Sequence, residues 1–389
     1  MTSTRRRLAL GGAAVGGLAA LLALAADVRL HRTLQPLRRD WQRLPIAPRG
    51  ATRLGISLRV PQVAAYGLAL RPTLERLLDY PFEVLRLGAY WNQIEPAADH
   101  LAFDGLDWQV EAAARAGKQI ILGLGALKNF GYPEFFVPRH RLAHALPERQ
   151  LIRGEAYPEL LGAACAFIQR LVERYRGQPA IIAWQVEHEA VDPLGLEHSW
   201  RLARAFVQAE VDAVRRMDPQ RPILLNGFLP ASLPVLLSQW WQTRDQGDSL
   251  QVAQDVADIV GLDYYPRSAL VGAGGLSAYL DGSRHRWNQA RAARIFAWAR
   301  ATGRRLIVSE GQAEPWEAVT MPPNRPRRVP WSCTPRDMID TYNRCLGWSR
   351  AGPALEAYLF WGAEWWLVRE QRGDPSYLGA FTRILAESR

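Results

Sequence analysis

Along the chain, short unbroken apolar runs alternate with longer stretches in which apolar residues recur every three or four positions. The runs are Leu54–Leu58, Glu83–Leu87, Gln119–Leu124, Ile181–Val186, Ile223–Asn226, Ile259–Tyr264, Leu306–Ser309 and Ala357–Trp361. Most lack a polar–apolar alternation, so they predict strands buried on both faces, as in a parallel sheet. The helical periodicity predicts helices near 71–79, 106–116, 158–176, 200–216, 233–242, 286–301, 335–349 and 378–387. In the third of these, Leu161, Cys165, Ile168, Val172 and Tyr175 trace one face, which makes Cys165 a small core residue. Strict alternation of strand and helix predicts an α/β fold, a (β/α)8 TIM barrel spanning 53–389. A doubly wound sheet would favour a Gly-rich phosphate loop after the first strand, and Gly55-Ile56-Ser57-Leu58-Arg59-Val60 is not one.

Ahead of the first strand the pattern changes. Arg5-Arg6-Arg7 precede an uncharged 19-residue run of Ala, Leu, Gly and Val from Leu8 to Ala26. That length just spans a bilayer. The Ala and Gly content suits an export signal better than a permanent anchor. Thr4-Arg5-Arg6-Arg7-Leu8 resembles a twin-arginine signal, and Ala23-Leu24-Ala25 fits a cleavage site. Residues 1–27 are therefore expected to be a signal peptide or membrane anchor. Residues 28–52, rich in Arg and carrying Pro36, Pro45 and Pro48, are expected to be a tether. The location that follows is exported: secreted, or held at a membrane through 8–26.

Charge supports this division. The chain has 389 residues and a net charge of +10, but nine Arg against two Asp within residues 1–50 supply +7 of it. A body left with +3 is not a nucleic-acid binder. At 48% hydrophobic and 22% charged, the composition is that of a globular enzyme or binding domain rather than a disordered chain. Cys345 lies about 15 Å along the helix expected to begin at Pro335, so a bridge to Cys333 is not expected.

In a barrel the C-terminal strand ends converge on one opening, and chemistry-bearing residues gather there in this sequence. Ile181–Val186 runs into Glu187-His188-Glu189, and Leu306–Ser309 into Glu310. Arg86 interrupts the apolar Val84–Leu87, Asp263-Tyr264-Tyr265 closes the sixth strand, and Trp361 closes the eighth, followed by Glu364-Trp365-Trp366. Two carboxyl groups across one pocket are the equipment of glycoside hydrolysis, one protonated and one ionised. An Arg beside one of them favours its charged form. Trp faces stack on sugars, and the chain has 15 Trp.

These motifs resemble the retaining glycoside hydrolases of clan A, including the family 42 β-galactosidases and family 5 cellulase-like enzymes. Trp184-Gln185-Val186-Glu187-His188-Glu189 is similar to the Trp-Gln-x-x-Asn-Glu motif that ends in the acid/base. Ile307-Val308-Ser309-Glu310 resembles the nucleophile segment, Val84-Leu85-Arg86-Leu87 the strand whose Arg contacts the nucleophile, and Phe360-Trp361 the Trp beneath the sugar. The resemblance implies Glu189 as acid/base and Glu310 as nucleophile. It implies Arg86 and either Tyr264 or Tyr265 as supports of Glu310, and Trp361 as the sugar platform. Glu364 is a candidate substrate contact. Glu187 is expected to form an ion pair under the barrel rim.

His188 departs from the pattern, standing where the clan has an Asn that holds the sugar 2-hydroxyl. If it titrates normally, activity should fall with a midpoint near pH 6.5 as the imidazole charges. The sequence thus reads as a retaining glycosidase of a β-linked sugar, with carbohydrate as partner and no cofactor or metal. The alternatives are a non-catalytic carbohydrate-binding barrel of the cell envelope and a transglycosylase using the same residues.

Overall fold

The computed structural model describes residues 27–32, 39–98, 100–193, 199–273, 276–316, 332–349 and 355–389. Its strands are β1 (Val28–Arg32), β2 (Arg53–Leu58), β3 (Val84–Gly88), β4 (Gln119–Gly123), β5 (Leu151–Ile152), β6 (Ile181–Gln185) and β7 (Arg201–Leu202). They continue with β8 (Ile223–Phe228), β9 (Ile259–Tyr264), β10 (Arg267–Ala273), β11 (Leu276–Asp281), β12 (Arg305–Gln312) and β13 (Ala357–Trp361). Eight of them close a barrel in the order β12-β13-β2-β3-β4-β6-β8-β9, every pair parallel. These are the eight apolar runs of the sequence, and they start and stop within a few residues of the expected limits.

The strands are apolar on both faces because two cores need them. Val84, Ile121, Ala183, Leu224, Ile259, Ile307, Ala357 and Leu359 pack together as a separate cluster, the filling of the barrel itself. The opposite faces, including Leu54, Leu85, Leu122, Trp184, Leu225 and Val308, join the large core shared with the helices. Higher in the barrel the filling turns polar, and there Gly261 matters. A Cβ at that position would lie 2.4 Å from Ser309 Oγ and 2.8 Å from Asn226 Cβ. Only glycine lets β8, β9 and β12 bring those polar side chains together.

Several elements were not anticipated. Ser249–Val256 is a helix with a capping box between Asp248 and Gln251. Ala363–Gln371 is a helix as well and buries Trp365 and Trp366 in the core, where Trp366 Nε1 donates to Ala313 O at 2.8 Å. After β9 the chain makes the β10–β11 hairpin, to which β1 adds as an antiparallel third strand.

The expected tether is a correction. β1 is sheet, and the chain from 39 onward is packed against the barrel's helices. Trp41 is buried, Arg383 donates to Trp41 O and Leu44 O, and Ala47 N donates to Asn343 Oδ1 at 2.7 Å. Apolar Leu44, Ile46 and Ala47 add to the core, which is why a segment rich in Arg and Pro does not stand free. The expected leader at 1–27, apart from Asp27, and residues 317–331 after β12 lie outside the described residues. Among the described residues no helix is long and apolar enough to cross a membrane. All three cysteines are free, with Cys333 and Cys345 buried and Cys165 half-buried.

Candidate active site

Glu310 lies near the C-terminal end of β12, where the register slips against both neighbouring strands. The slip turns its carboxylate into the barrel mouth. Arg86, wholly buried on β3, reaches it with Nη1 2.7 Å from Oε1. The same guanidinium is fixed by Nε to Gln185 Oε1 at 2.7 Å, and it lies 3.9 Å from the Phe130 ring centroid. Tyr265 Oη donates to Glu310 Oε2 at 2.5 Å. Burial pushes the Glu310 carboxyl upward, while Arg86 and the Tyr265 hydroxyl pull it back. Each oxygen therefore has its own donor, and the ionised form is the one the site is built to hold.

Glu189 follows β6 in a tight turn in which Glu187 and Glu189 both take left-handed backbone angles, φ 55° and 42°. Such angles are unfavourable for residues with a Cβ and persist only when neighbours impose them. The neighbours are visible. Glu187 points away from the mouth and accepts the backbone N–H groups of Leu127 (3.0 Å) and Lys128 (2.5 Å). Lys128 Nζ in turn donates to Glu189 O (2.9 Å) and Asp192 O (3.3 Å), and Glu189 N donates to Asn226 Oδ1 (3.3 Å). Glu187 is thus a clasp on backbone amides rather than the rim ion pair expected. The Glu189 carboxyl is held well above the usual carboxylate range, by burial first and then by the nearby charges of Asp263 and Glu310. Burial thus favours the protonated form of Glu189, whereas the upward push on Glu310 is opposed by a donor on each of its oxygens.

His188 stacks on Trp361, with ring centroids 6.4 Å apart and planes 9° from parallel. Its Nδ1 accepts from Asn226 Nδ2 at 2.9 Å, which fixes the tautomer with hydrogen on Nε2. Burial, Arg86 and Lys128 all push its pKa well below 6.5. The expectation of a midpoint near pH 6.5 is therefore corrected: burial and the two cations hold the imidazole from charging there. His188→Asn is expected to leave the acid limb of kcat/KM superimposable on the parent's between pH 5.5 and 7. Stability should separate the two proteins. The unfolded parent takes up a proton below about pH 6.5 that the folded one refuses, so its stability falls by roughly 1.4 kcal/mol per pH unit on acidification. The Asn variant lacks that slope, as urea melts at pH 5 and 7 would show.

Around these groups Phe130, Phe228, Tyr265 and Trp361 form an aromatic cup, with Trp316 and Val235 packed against it. Two sequence candidates fall outside it. Tyr264 points outward from β9, with its ring edge on Trp348 (centroids 4.8 Å apart), so Tyr265 alone supports Glu310. Glu364 is completely buried and salt-bridged to Arg59, Oε2 to Nη2 at 2.6 Å, and reaches no substrate. Arg59 also pairs with Glu314 at 2.5 Å, and its guanidinium lies 4.4 Å from the Trp361 ring centroid. Sequence reasoning missed Arg59, Glu314, Lys128 and Asn226. It noted Asp263 but gave it no role, although its carboxylate accepts from Asn226 Nδ2 (2.5 Å) and Ser309 Oγ (2.6 Å). His188, Asp263 and Glu310 bring ligand atoms within 4.8 Å of one another, but the Arg86 guanidinium lies against two of them, where a metal cation would be repelled.

A family model described as beta-galactosidase, glycoside hydrolase family 42, matches residues 74–208. The matched stretch holds Arg86, His188 and Glu189, and Glu310 lies beyond it. Among solved structures, the family 5 subfamily 18 protein of Streptomyces cattleya, crystallised with GlcNAc, has 13% identity and a TM-score of 0.57. That alignment covers 89% of this chain and 82% of its own. Native xylanase 10B from Thermotoga maritima has 13% identity and a TM-score of 0.51, over 88% of this chain and 98% of its own. A β-galactosidase from the psychrophilic Marinomonas ef1 has 14% identity and a TM-score of 0.48, over 79% of this chain; the chain spans about half that protein's length, 54%. At such identities the structural likeness establishes the barrel fold. No curated protein matches the sequence. The matched family and these neighbours are clan A TIM-barrel glycoside hydrolases, the kinship that the motifs implied, and no one subfamily is singled out.

Proposed function

We propose that this clan A glycoside-hydrolase barrel is a retaining O-glycosidase that cleaves a β-linked sugar in two steps. The observation that carries the reading is the difference between two carboxyl groups of one barrel mouth: Glu310, clamped by Arg86 and Tyr265, and Glu189, buried without a cation on its carboxyl and pushed well above the usual carboxylate range. In the first step a Glu310 oxygen attacks the anomeric carbon while the Glu189 proton passes to the leaving glycosidic oxygen. In the second, Glu189, now a carboxylate, takes a proton from water. The resulting hydroxide attacks the same carbon, and Glu310 departs as a carboxylate. Trp361 supports the sugar ring, and His188 Nε2–H faces the 2-hydroxyl. We extend the reading to an exported enzyme whose leader is 1–27.

The test is Glu189→Ala on β-glycosides of graded leaving-group ability. A dinitrophenyl group needs no proton to depart, so its release in the first turnover should stay near the parent rate. An alkyl glycoside should lose roughly 10²–10⁴-fold. A loss equal for all leaving groups would remove Glu189 from the acid role.

A further inference from the structure

The helix Leu233–Thr243, which follows β8 at the rim of the mouth, has its sides reversed. Its inward positions Val235, Gln239 and Thr243 recur every four residues, and two of the three are polar. Val235 packs against the aromatic cup, and Gln239 Nε2 donates to Asp192 Oδ2 at 3.1 Å. Its outward positions Leu233, Leu237, Trp240 and Trp241 are large and apolar, and each Trp is 60% exposed. A surface helix normally turns its apolar side to the core. Two more large apolar side chains are exposed among the described residues, Leu30 and Leu270. Both belong to the three-stranded sheet: Leu30 stands opposite Ala278 of β11, and Leu270 sits where the register of β10 slips against the same strand. That sheet abuts the start of the helix. Asn288 Nδ2 donates to Ala231 O at 2.6 Å and to Gly282 O at 2.9 Å, and a Cβ at Gly282 would lie 2.2 Å from Ala231 O.

We propose that this rim, the outward face of Leu233–Thr243 together with Leu30 and Leu270, docks on the surface of an anionic lipid bilayer. The docking goes beyond the glycosidase reading and does not depend on it. Exposed apolar side chains gathered on one part of a surface mark an interaction site, and Leu and Trp on one side of a helix suit burial about 5–10 Å deep among lipid headgroups. The entry of the chain favours this occupant. Asp27 is buried and its Oδ1 lies 2.6 Å from His285 Nε2, while His285 N donates to Gly282 O, the residue packed on Ala231. In sequence the uncharged run Leu8–Ala26 ends at the residue before Asp27, so the most apolar stretch of the chain is joined to the body at this rim with no linker. Charge favours it as well. Arg244, Arg284 and Arg286 are exposed beside these elements. The acids around them are already matched: Asp245 by Arg201, Asp248 by Arg291 and Asp281 by Arg267. A sugar platform is the weaker fit. The Trp240 and Trp241 planes lie 56° apart, the Arg244 guanidinium stands 3.8 Å from the Trp241 ring centroid, and the other outward side chains are Leu, which offer a sugar hydroxyl no partner. Arg beside Trp is a pairing at home in the headgroup zone.

The experiment uses the full chain with Cys165→Ala, whose two remaining cysteines are buried, and adds one labelling site. Leu237→Cys carries a nitrobenzoxadiazole on the outward face of the helix, and Gln220→Cys carries it in the exposed turn before β8, at the opposite end of the barrel. Each protein is mixed with vesicles of equal parts phosphatidylglycerol and phosphatidylcholine that contain nitroxide-labelled lipid. Emission from position 237 should fall at least about twofold, and emission from position 220 should not change. Adding Trp240→Ser and Trp241→Ser should weaken the vesicle affinity read at position 237 at least about tenfold. Both Trp lie outside the core, so the fold is kept. Full quenching at 237 in the double Ser variant would mean that another part of the chain holds the vesicle, and would overturn the proposal. Equal emission from 237 and 220 would overturn it too. A label at 237 shielded from iodide without any lipid would assign the face to a second copy of the chain, and one shielded only by soluble β-linked oligosaccharides would assign it to carbohydrate; either overturns the proposal. None of these readouts involves turnover, so a failure of the glycosidase reading leaves the result intact.

Discussion

Replacing Glu310 with Gly is expected to abolish hydrolysis, by about 10⁴-fold or more, the scale on which covalent catalysts lose turnover when the nucleophile is removed. The residual structure should survive. Gly in place of Glu310 leaves Arg86 without its carboxylate but still bound to Gln185, and the cavity is large enough for a small anion. Azide can enter it, drawn by the exposed guanidinium, and attack an activated aryl β-glycoside from the side that Glu310 occupied. The product should be the α-glycosyl azide, inverted relative to the substrate. Product stereochemistry is the decisive readout, because a β-glycosyl azide would mean that the removed group was the acid/base. Unchanged rates in Glu310→Gly would remove Glu310 from the reaction altogether.

The largest expected effect on stability comes from Arg59→Met. Arg59 is wholly buried and binds two carboxylates at once, Glu314 beyond β12 and Glu364 beyond β13. Met fills a similar volume but leaves both acids in the interior without a cation. Breaking a buried pair by removing one partner costs about 3–5 kcal/mol. For a chain of this length that is a fall in Tm of roughly 5 °C. The pH dependence distinguishes this from simple loss of packing. Unpaired buried carboxyls take up protons more readily in the folded than in the unfolded chain, so lowering the pH should recover part of the loss relative to the parent. Calorimetry of both proteins at pH 5 and pH 8 checks it, and a deficit that does not change with pH would assign the loss to packing alone. Trp361, on which Arg59 lies, should then be less firmly held, and KM should rise as well.

How much of this was legible in the sequence follows from the range of the interactions. The barrel strands were legible because a strand buried on both faces must be apolar throughout, a property of six consecutive residues. Glu189, Glu310 and Arg86 stood out as polar residues breaking such runs. The Asp248–Gln251 capping box has a local signature too, although no long apolar pattern stands beside it. Other features had no local trace. Glu364 and Arg59 are 305 positions apart, so nothing near Glu364 announces that its charge is already matched. Tyr264 and Tyr265 are neighbours in sequence, and only the phase of β9 decides which one faces the mouth. His188 looked like a pH sensor because an exposed imidazole titrates near neutrality, and its burial between Arg86 and Trp361 is a product of the closed barrel.

The three-stranded sheet at the rim also decides an orientation. β10 begins three residues after β9, at the C-terminal end of the barrel and next to Tyr265, and β1 is zipped along β11 over five residue pairs. The chain therefore joins the body of the molecule on the same side as the catalytic opening. Anything attached ahead of Asp27 would stand beside that opening, not behind the barrel.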